Sequence, residues 1–294
     1  MKNEEITNEV FTDWKYAPAP ESTDHIKINK HYDLFINGKF VKPNSKKYFA
    51  TINPATEEKL AEVAEANEKD VDLAVTSAKN AYDKVWKKMP AKERSKYIFR
   101  IARLMQERAR EFAVIESMNG GKPIRESRDV DVPLAANHFF YYAGWADKLD
   151  YAFPNKKPQS LGVAAQIIPW NFPLLMAAWK IAPALATGNT VVLKPAETTP
   201  LTALKLAELI RDSGLPDGVV NIITGFGKTG AAMVNHPKVN KVAFTGSTDV
   251  GKLIQKSIAG TNKKATLELG GKAANIIFDD APIDQAVEGI VNGI

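Results

Sequence analysis

The sequence contains no cysteine among its 294 residues. Disulfide bonds, a thiolate metal site and a cysteine nucleophile are therefore excluded within these residues. Histidine is also scarce, and His138 has no second histidine at metal-ligand spacing, so we expect no metal site. There is no signal-peptide pattern and no apolar run of about 20 residues, the length that spans a bilayer. We therefore expect a soluble, cytoplasmic protein that has no membrane partner.

The bulk composition is that of an ordinary globular protein, with 45% hydrophobic and 25% charged residues. A chain of this length can form one large domain or two smaller ones. The net charge is +5, but the basic residues are spread among acidic ones, and basic tracts such as Lys156-Lys157 are short. This pattern favours a mixed, solvated surface over binding to nucleic acid.

The first half of the chain has mixed local patterns. Residues 1–30 are polar and without periodicity, which predicts a flexible N-terminal arm. Asn37-Gly38 between two apolar triplets predicts a hairpin. Helical periodicity over 91–117 predicts one long amphipathic helix, and the aromatic stretch 132–149 predicts another that serves the core or an interface. Residues 150–160 are expected to form a short linker or a rudimentary oligomerisation arm.

After residue 161, short apolar runs alternate with amphipathic segments. The apolar runs predict strands at 163–168, 190–193, 219–224, 242–245, 265–269 and 275–278. The amphipathic segments predict helices at 174–186, 202–213, 228–235 and 250–259. This alternation predicts an α/β fold of the Rossmann-like type, an open and mostly parallel sheet with helices on both faces.

Polar or glycine-rich segments follow the first five of these strands. They are Pro169-Trp170-Asn171, Lys194-Pro195-Ala196-Glu197, Gly225–Gly230, Gly246–Gly251 and Glu268–Lys272. Because ligands of such sheets bind outside the carboxyl ends of the strands, we expect these segments to converge on one site.

The residue types in these segments indicate their chemistry. Asn171, between two prolines that stiffen the turn, can donate N–H groups to a developing oxyanion, although it could also only brace the turn. Glycines at a helix start, with Ser247 as an added donor, suit a pyrophosphate. Lys194 and Glu197 can bind ribose hydroxyls, or they can form an exposed salt bridge. A carboxylate at Glu197 would repel a 2′-phosphate, which favours NAD over NADP.

Two further motif matches are weak. Gly225-Phe226-Gly227-Lys228-Thr229-Gly230 fits G-x-G-x-x-G, but it follows the third strand, whereas the dinucleotide fingerprint belongs after the first. Gly246–Lys252 nearly fits a P-loop, but Leu253 stands where the Mg²⁺-binding hydroxyl is needed. An ATPase is therefore not favoured.

Four motifs together resemble the aldehyde dehydrogenase superfamily, and the likeness covers nearly all of residues 30–294. They are Pro169-Trp170-Asn171-Phe172-Pro173, Lys194-Pro195-Ala196-Glu197, Phe244-Thr245-Gly246-Ser247-Thr248 and Leu267-Glu268-Leu269-Gly270-Gly271-Lys272. A weaker likeness is to the family-16-like branch, in which a whole module can lack its nucleophile.

The resemblance implies NAD as cofactor, with NADP less favoured, and an aldehyde as substrate. It implies that a cysteine attacks the aldehyde, that Asn171 holds the oxyanion and that Glu268 is the general base for hydrolysis of the thioester. It also implies a set of cofactor contacts: Ile168, Trp170, Lys194, Glu197, Gly225, Gly230, Gly246, Ser247, Val250, Gly251 and Leu269.

The resemblance also implies a domain division. Residues 31–149 and 161–268 would form the NAD-binding domain, and 269–294 the incomplete start of a truncated catalytic domain. The family's cysteine would lie beyond Ile294, so we expect this chain to be inactive alone. Two hypotheses remain: a shortened dehydrogenase, or a non-catalytic NAD-binding or regulatory module. Either could be a homo-oligomer or could use a partner that supplies the missing domain.

Overall fold

The computed structural model describes residues 22–292, so most of the arm predicted for 1–30 lies outside the described residues. The strands are β1 (His31–Tyr32), β2 (Leu34–Ile36), β3 (Lys39–Val41), β4 (Tyr48–Ile52), β5 (Lys59–Ala64), β6 (Val163–Ile167), β7 (Thr190–Lys194), β8 (Val220–Ile222), β9 (Val239–Thr245) and β10 (Lys264–Glu268). The helices are α1 (Glu68–Lys84), α2 (Ala91–Glu107), α3 (Ala109–Gly120), α4 (Ile124–Glu126), α5 (Val132–Trp145), α6 (Leu149–Ala152), α7 (Pro173–Ala186), α8 (Leu201–Asp212), α9 (Gly227–Asn235), α10 (Thr248–Ile258) and α11 (Ile283–Asn292).

The larger sheet has seven strands in the order β10-β9-β6-β7-β8-β2-β3. The five strands from β10 to β8 are parallel, while β2 and β3 add an antiparallel edge. The chain crosses from one side of β6 to the other between β8 and β9, which places a switch in strand order beside β6. The predicted open, mostly parallel sheet is confirmed.

Helices cover both faces of this sheet. Val191 and Leu193 of β7 belong to a core formed with α2, α3, α5, α7 and α8. The residue between them, Val192, belongs to a second core formed with α1, α9 and α10. Since neighbouring side chains of a strand point to opposite faces, both faces of the central strands are buried.

The predicted hairpin at Asn37-Gly38 is confirmed. Asn37 has φ +53° and Gly38 has φ +75°, which are the positive values that a tight primed turn requires. The turn joins β2 to β3, and β2 in turn pairs with β8 through Phe35 and Ile222. A separate three-stranded sheet, β1-β5-β4, was not predicted from the sequence.

The single helix predicted over 91–117 is wrong, because the chain leaves the helical conformation at Arg108, with φ −106° and ψ +18°. The break separates α2 from α3. It allows the Arg108 guanidinium to donate to Glu111 at 2.7 Å and to Glu208 of α8 at 2.8 Å. Neither glycine nor proline marks this position, so local sequence gave no signal for the break. The second helix ends close to the predicted residue 117, since α3 ends at Gly120 and Gly121 caps it with φ +71°.

The strand predicted at 275–278 is also wrong. Residues 269–282 form no strand, and Ile276 and Phe278 are more than two-thirds exposed. Within the described residues β10 is an edge strand paired to β9 alone. An apolar run forms a strand only where an adjacent strand can hydrogen-bond its backbone. No strand of the described residues pairs with 275–278.

None of the helices described between residues 22 and 292 combines the length and apolar character needed to cross a membrane.

One buried side chain joins three separate parts of the fold. Asn119, near the end of α3, donates from Nδ2 to the Thr51 hydroxyl at 2.8 Å and to the Thr198 carbonyl at 3.2 Å. Its Oδ1 accepts the Leu201 N–H at 3.0 Å. These contacts connect β4, the loop after β7 and the first turn of α8.

We expect Asn119→Ala to lower the free energy of unfolding by about 3 kcal/mol, because three bonds are lost and their buried partners are left unsatisfied. Urea unfolding measures the change. The matched control is Asn80→Ala on the exposed side of α1, which should change stability by less than about 0.5 kcal/mol. Equal effects of the two substitutions would contradict the linking role of Asn119.

Candidate functional site

A groove of about 510 Å³ runs along the carboxyl ends of β6, β7, β9 and β10. Its walls are the loops that follow these four strands. The lining residues are Ile167, Ile168, Pro169, Trp170, Asn171, Lys194, Ala196, Glu197, Phe244, Thr245, Gly246, Ser247, Glu268, Leu269 and Gly270. Because parallel strands all end at the same edge of the sheet, segments more than a hundred residues apart meet here.

Most of the residues singled out from the sequence lie in this groove. They are Ile168, Trp170, Asn171, Lys194, Glu197, Gly246, Ser247, Glu268 and Leu269. The other four, Gly225, Gly230, Val250 and Gly251, do not line it.

Lys194 and Glu197 form a donor and acceptor pair within the groove. The Lys194 ammonium is buried and lies 3.4 Å from the carboxylate of Glu197, whose side chain is partly exposed. Lys194 also donates to the Pro195 carbonyl at 3.1 Å. Burial lowers the pKa of Lys194, while the Glu197 carboxylate acts in the opposite direction. The pair can therefore offer a positive donor and a negative acceptor to the same ligand.

The N-terminus of α10 provides a separate, exposed set of donors. The Ser247 hydroxyl accepts the Val250 N–H at 3.3 Å, and the first intrahelical bond runs from the Gly251 N–H to the Ser247 carbonyl. The N–H groups of Thr248 and Asp249 precede that bond at the start of the helix. Such a helix terminus carries partial positive charge and can bind an anion.

The glycines near the groove are required by close packing. A Cβ on Gly251 would lie 2.4 Å from the Leu269 side chain, and one on Gly246 would lie 2.5 Å from the Phe244 ring. Gly225 has φ +149°, and its Cβ would lie 2.3 Å from the Thr229 hydroxyl. Gly230 brings α9 close to the strands, since its Cβ would lie 3.4 Å from Ile167. Close packing thus explains Gly225, Gly246 and Gly251 without any ligand, whereas the 3.4 Å contact at Gly230 is an ordinary one.

Asn171 stands on the loop between β6 and α7. Its neighbours Trp170 and Phe172 are exposed, and Asn171 itself is exposed to solvent. No hydrogen bond joins its amide to another residue of the described part of the chain. The amide thus remains available as a donor, as an oxyanion site would require.

Glu268 ends β10 and borders two cavities. Besides the groove, it lines a second cavity of about 430 Å³. Gln166, Lys180 and Lys241 also line this cavity. The Lys180 side chain is only 8% exposed. Burial lowers the pKa of Lys180 to about 8, the Glu268 carboxylate opposes this shift, and Lys241 adds to it.

The sequence interpretation missed two buried titratable residues near the site, one beside Glu268 and one at the start of α7. One is Lys180, and the other is Glu116 of α3, whose carboxylate accepts the Leu174 N–H at 3.1 Å. Each is a single charged residue within an apolar helical stretch, Leu174–Ala186 for Lys180 and Phe112–Met118 for Glu116. A single charged residue at a core-facing position of an apolar helix was the sequence signal that could have revealed both residues.

The family model described as the aldehyde dehydrogenase family matches residues 40–294. An aldehyde dehydrogenase from Alternaria alternata is 50% identical over 271 residues, which cover 89% of this chain and 54% of that protein. Retinal dehydrogenase 2 from Homo sapiens is 48% identical over 288 residues, which cover 94% of this chain and 55% of that protein.

Solved structures agree with these matches. The NAD⁺ complex of an aldehyde dehydrogenase from Bacillus cereus is 45% identical with a TM-score of 0.86, and the match covers 91% of this chain and 56% of that one. The chain thus spans about half the length of the relatives it matches. Since the family model extends over most of the sequence, the chain belongs to the aldehyde dehydrogenase family.

Proposed function

We propose that these residues form the NAD-binding half of an enzyme that oxidises an aldehyde to a carboxylic acid. The observation that carries this proposal is the groove at the strand ends, where the Lys194–Glu197 pair lies beside the start of α10. In our domain assignment 31–149 and 161–268 bind the cofactor, 150–160 is a linker, and 269–294 begins a second domain.

The groups in the groove fit the parts of a dinucleotide. Lys194 would donate to the adenosine ribose and Glu197 would accept from its hydroxyls. The free N–H groups of α10, with Ser247, would bind the pyrophosphate. Ile168, Trp170 and Leu269 offer apolar surface along the groove. Of the other proposed contacts, Gly225 and Gly230 would make room for the adenine half. Val250 and Gly251 would belong to the helix start that binds the pyrophosphate.

Two residues of this chain would act in the chemistry. The Asn171 amide would donate to the oxygen of the aldehyde as negative charge develops on it. Glu268 would take a proton from the water that releases the acid. Bound NAD would supply the acceptor for hydride. The attacking thiolate of the family's reaction has no source in these 294 residues, which contain no cysteine. We therefore propose that they bind NAD without turning over an aldehyde.

A second candidate is a non-catalytic NAD-binding or regulatory module that is completed by a partner chain or by another copy of itself. The observation that favours it is a row of exposed apolar side chains near residue 294. Ile276, Phe278, Ile283, Val287 and Val291 are each more than half exposed. Apolar surface of this kind is typical of a protein interface.

We expect isothermal titration calorimetry to detect NAD binding by this chain, while a spectrophotometric assay with an aliphatic aldehyde detects no NADH. Lys194→Met should weaken NAD binding at least about tenfold, because it removes a ribose donor and leaves Glu197 unpaired. The control Lys256→Met, on the exposed part of α10, should bind as the unchanged chain does. Absence of binding would contradict the proposal, and turnover would require a nucleophile other than cysteine.

We expect Glu197→Gln to reduce the preference for NAD over NADP. Loss of the charge should weaken NAD binding about fivefold, since a charged acceptor binds hydroxyls more strongly than a neutral one. The same change should strengthen NADP binding, because repulsion of the 2′-phosphate is removed. Titrations with both nucleotides measure the ratio, with Glu107→Gln on the surface of α2 as control. If the ratio of the NAD and NADP affinities did not change, the ribose 2′-hydroxyl could not lie near Glu197.

A further inference from the structure

The loop that carries Asn171 is held from α3 by a buried carboxyl group. Glu116 is 1% exposed, and its Oε1 accepts the N–H of Leu174 in the first turn of α7. Its second oxygen, Oε2, has no hydrogen-bond partner within the described residues. The Thr202 hydroxyl lies near enough to stabilise the charged form, but it does not reach hydrogen-bond geometry. The carboxyl group is therefore fully removed from water but only half satisfied, which is costly when it is ionised.

Lys122, which follows the cap of α3, contacts the same loop at a second point. The Lys122 ammonium lies 3.6 Å from the centre of the Phe172 ring, a close cation–π contact. The Lys122 ammonium also forms an ion pair with the Asp131 carboxylate at 2.6 Å, which holds it in place. Asp131 is buried at the end of the π-helical turn Ser127–Asp131. Turns of this kind are rare and are often found at functional sites.

Glu116, Lys122 and Phe172 all border a small cavity that reaches Asn171. The cavity has a volume of about 290 Å³. Its lining residues are Glu116, Gly120, Gly121, Lys122, Trp170, Asn171, Phe172 and Pro173. Phe172 follows Asn171 directly and Leu174 comes three positions after it, so both contacts constrain the backbone that presents the amide.

We propose that Glu116 is a positioning residue for the Asn171 amide, and that the loop opens more readily when the Glu116 carboxyl group ionises. This inference rests on the proposed role of Asn171 as the oxyanion donor. Glu116 does not touch the groove; it acts through the first turn of α7.

The charges around Glu116 set the pH at which the loop would respond. Burial raises its pKa to about 7, opposed by the Thr202 hydroxyl of α8 and the Leu174 N–H of α7. Asp131 of the π-helical turn raises the pKa, and Lys122 lowers it. When the loop opens, the carboxyl group meets water and its pKa returns towards the ordinary value of 4.5. The closed loop thus favours the protonated form, and opening becomes easier as the pH rises from about 4.5 to about 7.

Hydrogen exchange of the Leu174 amide tests the proposal directly, because Glu116 is the acceptor of this N–H. After correction for the intrinsic rate, its exchange should rise with pH by up to about 300-fold and level off above about pH 7. The Leu206 amide in the middle of α8 reports global unfolding and should be better protected than Leu174 at every pH. Equal protection of the two amides would mean that the loop does not open by itself, and would overturn the proposal.

Three variants separate positioning from a general effect on packing. Glu116→Gln keeps the shape and should remove the pH dependence at Leu174. Lys122→Met should move the midpoint to higher pH and Asp131→Asn to lower pH, because the two charges act on Glu116 in opposite directions. The proposal would be contradicted if the pH midpoint of Leu174 exchange stayed the same in both charge variants. It would also be contradicted if Glu116→Gln kept the pH dependence. NAD titration of the unchanged chain is independent of the exchange measurements, so absence of NAD binding there would count against the proposed function and not against the role of Glu116.

Discussion

Burial of the central strands on both faces is the constraint on which the rest of the structure depends. The middle of β6 and β7 is closed to water by helices on each side. A polar group there needs an internal partner, and the Gln166 amide nitrogen finds one in the Lys180 carbonyl at 2.7 Å, whereas its side-chain oxygen has none within the described residues. Exposed polar side chains can therefore stand only where the strands end. This is why the groove forms at the carboxyl edge, and why its residues come from four separate loops.

The helix that follows β6 connects the parts of the site. Its first turn is held by Glu116, the loop before it presents Asn171, and its middle carries Lys180 to the cavity beside Glu268. Burial shifts the pKa of Glu116 upwards and that of Lys180 and Lys194 downwards. All three shifts favour the neutral form, because each group has exchanged water for protein. The fold thus weakens the preference of three ionisable groups near the site for their charged forms.

The sequence predicted the sheet well because its signals are local. Apolar runs of strand length and a turn dipeptide such as Asn37-Gly38 need no distant partner to be recognised. Predictions failed where the outcome depended on distant residues. The helix break at Arg108 lets its guanidinium donate to Glu208 on another helix. Residues 275–278 have no neighbouring strand within the described residues. In the same way Glu116 and Lys180 are single charges in apolar stretches, and only packing places Glu116 at the start of α7 and Lys180 beside Glu268.

By itself the sequence determined the parallel sheet, the order of its elements and the polar loops at the strand ends, because hydrophobic periodicity and turn residues encode them along the chain. The tertiary structure decided which of these loops share a groove: nine of the thirteen residues singled out line it, and four glycine-loop and helix positions do not. It also decided which buried charges face one another, such as Glu116 with Lys122 and Asp131. Those pairings depend on helix packing in three dimensions, which no local pattern records.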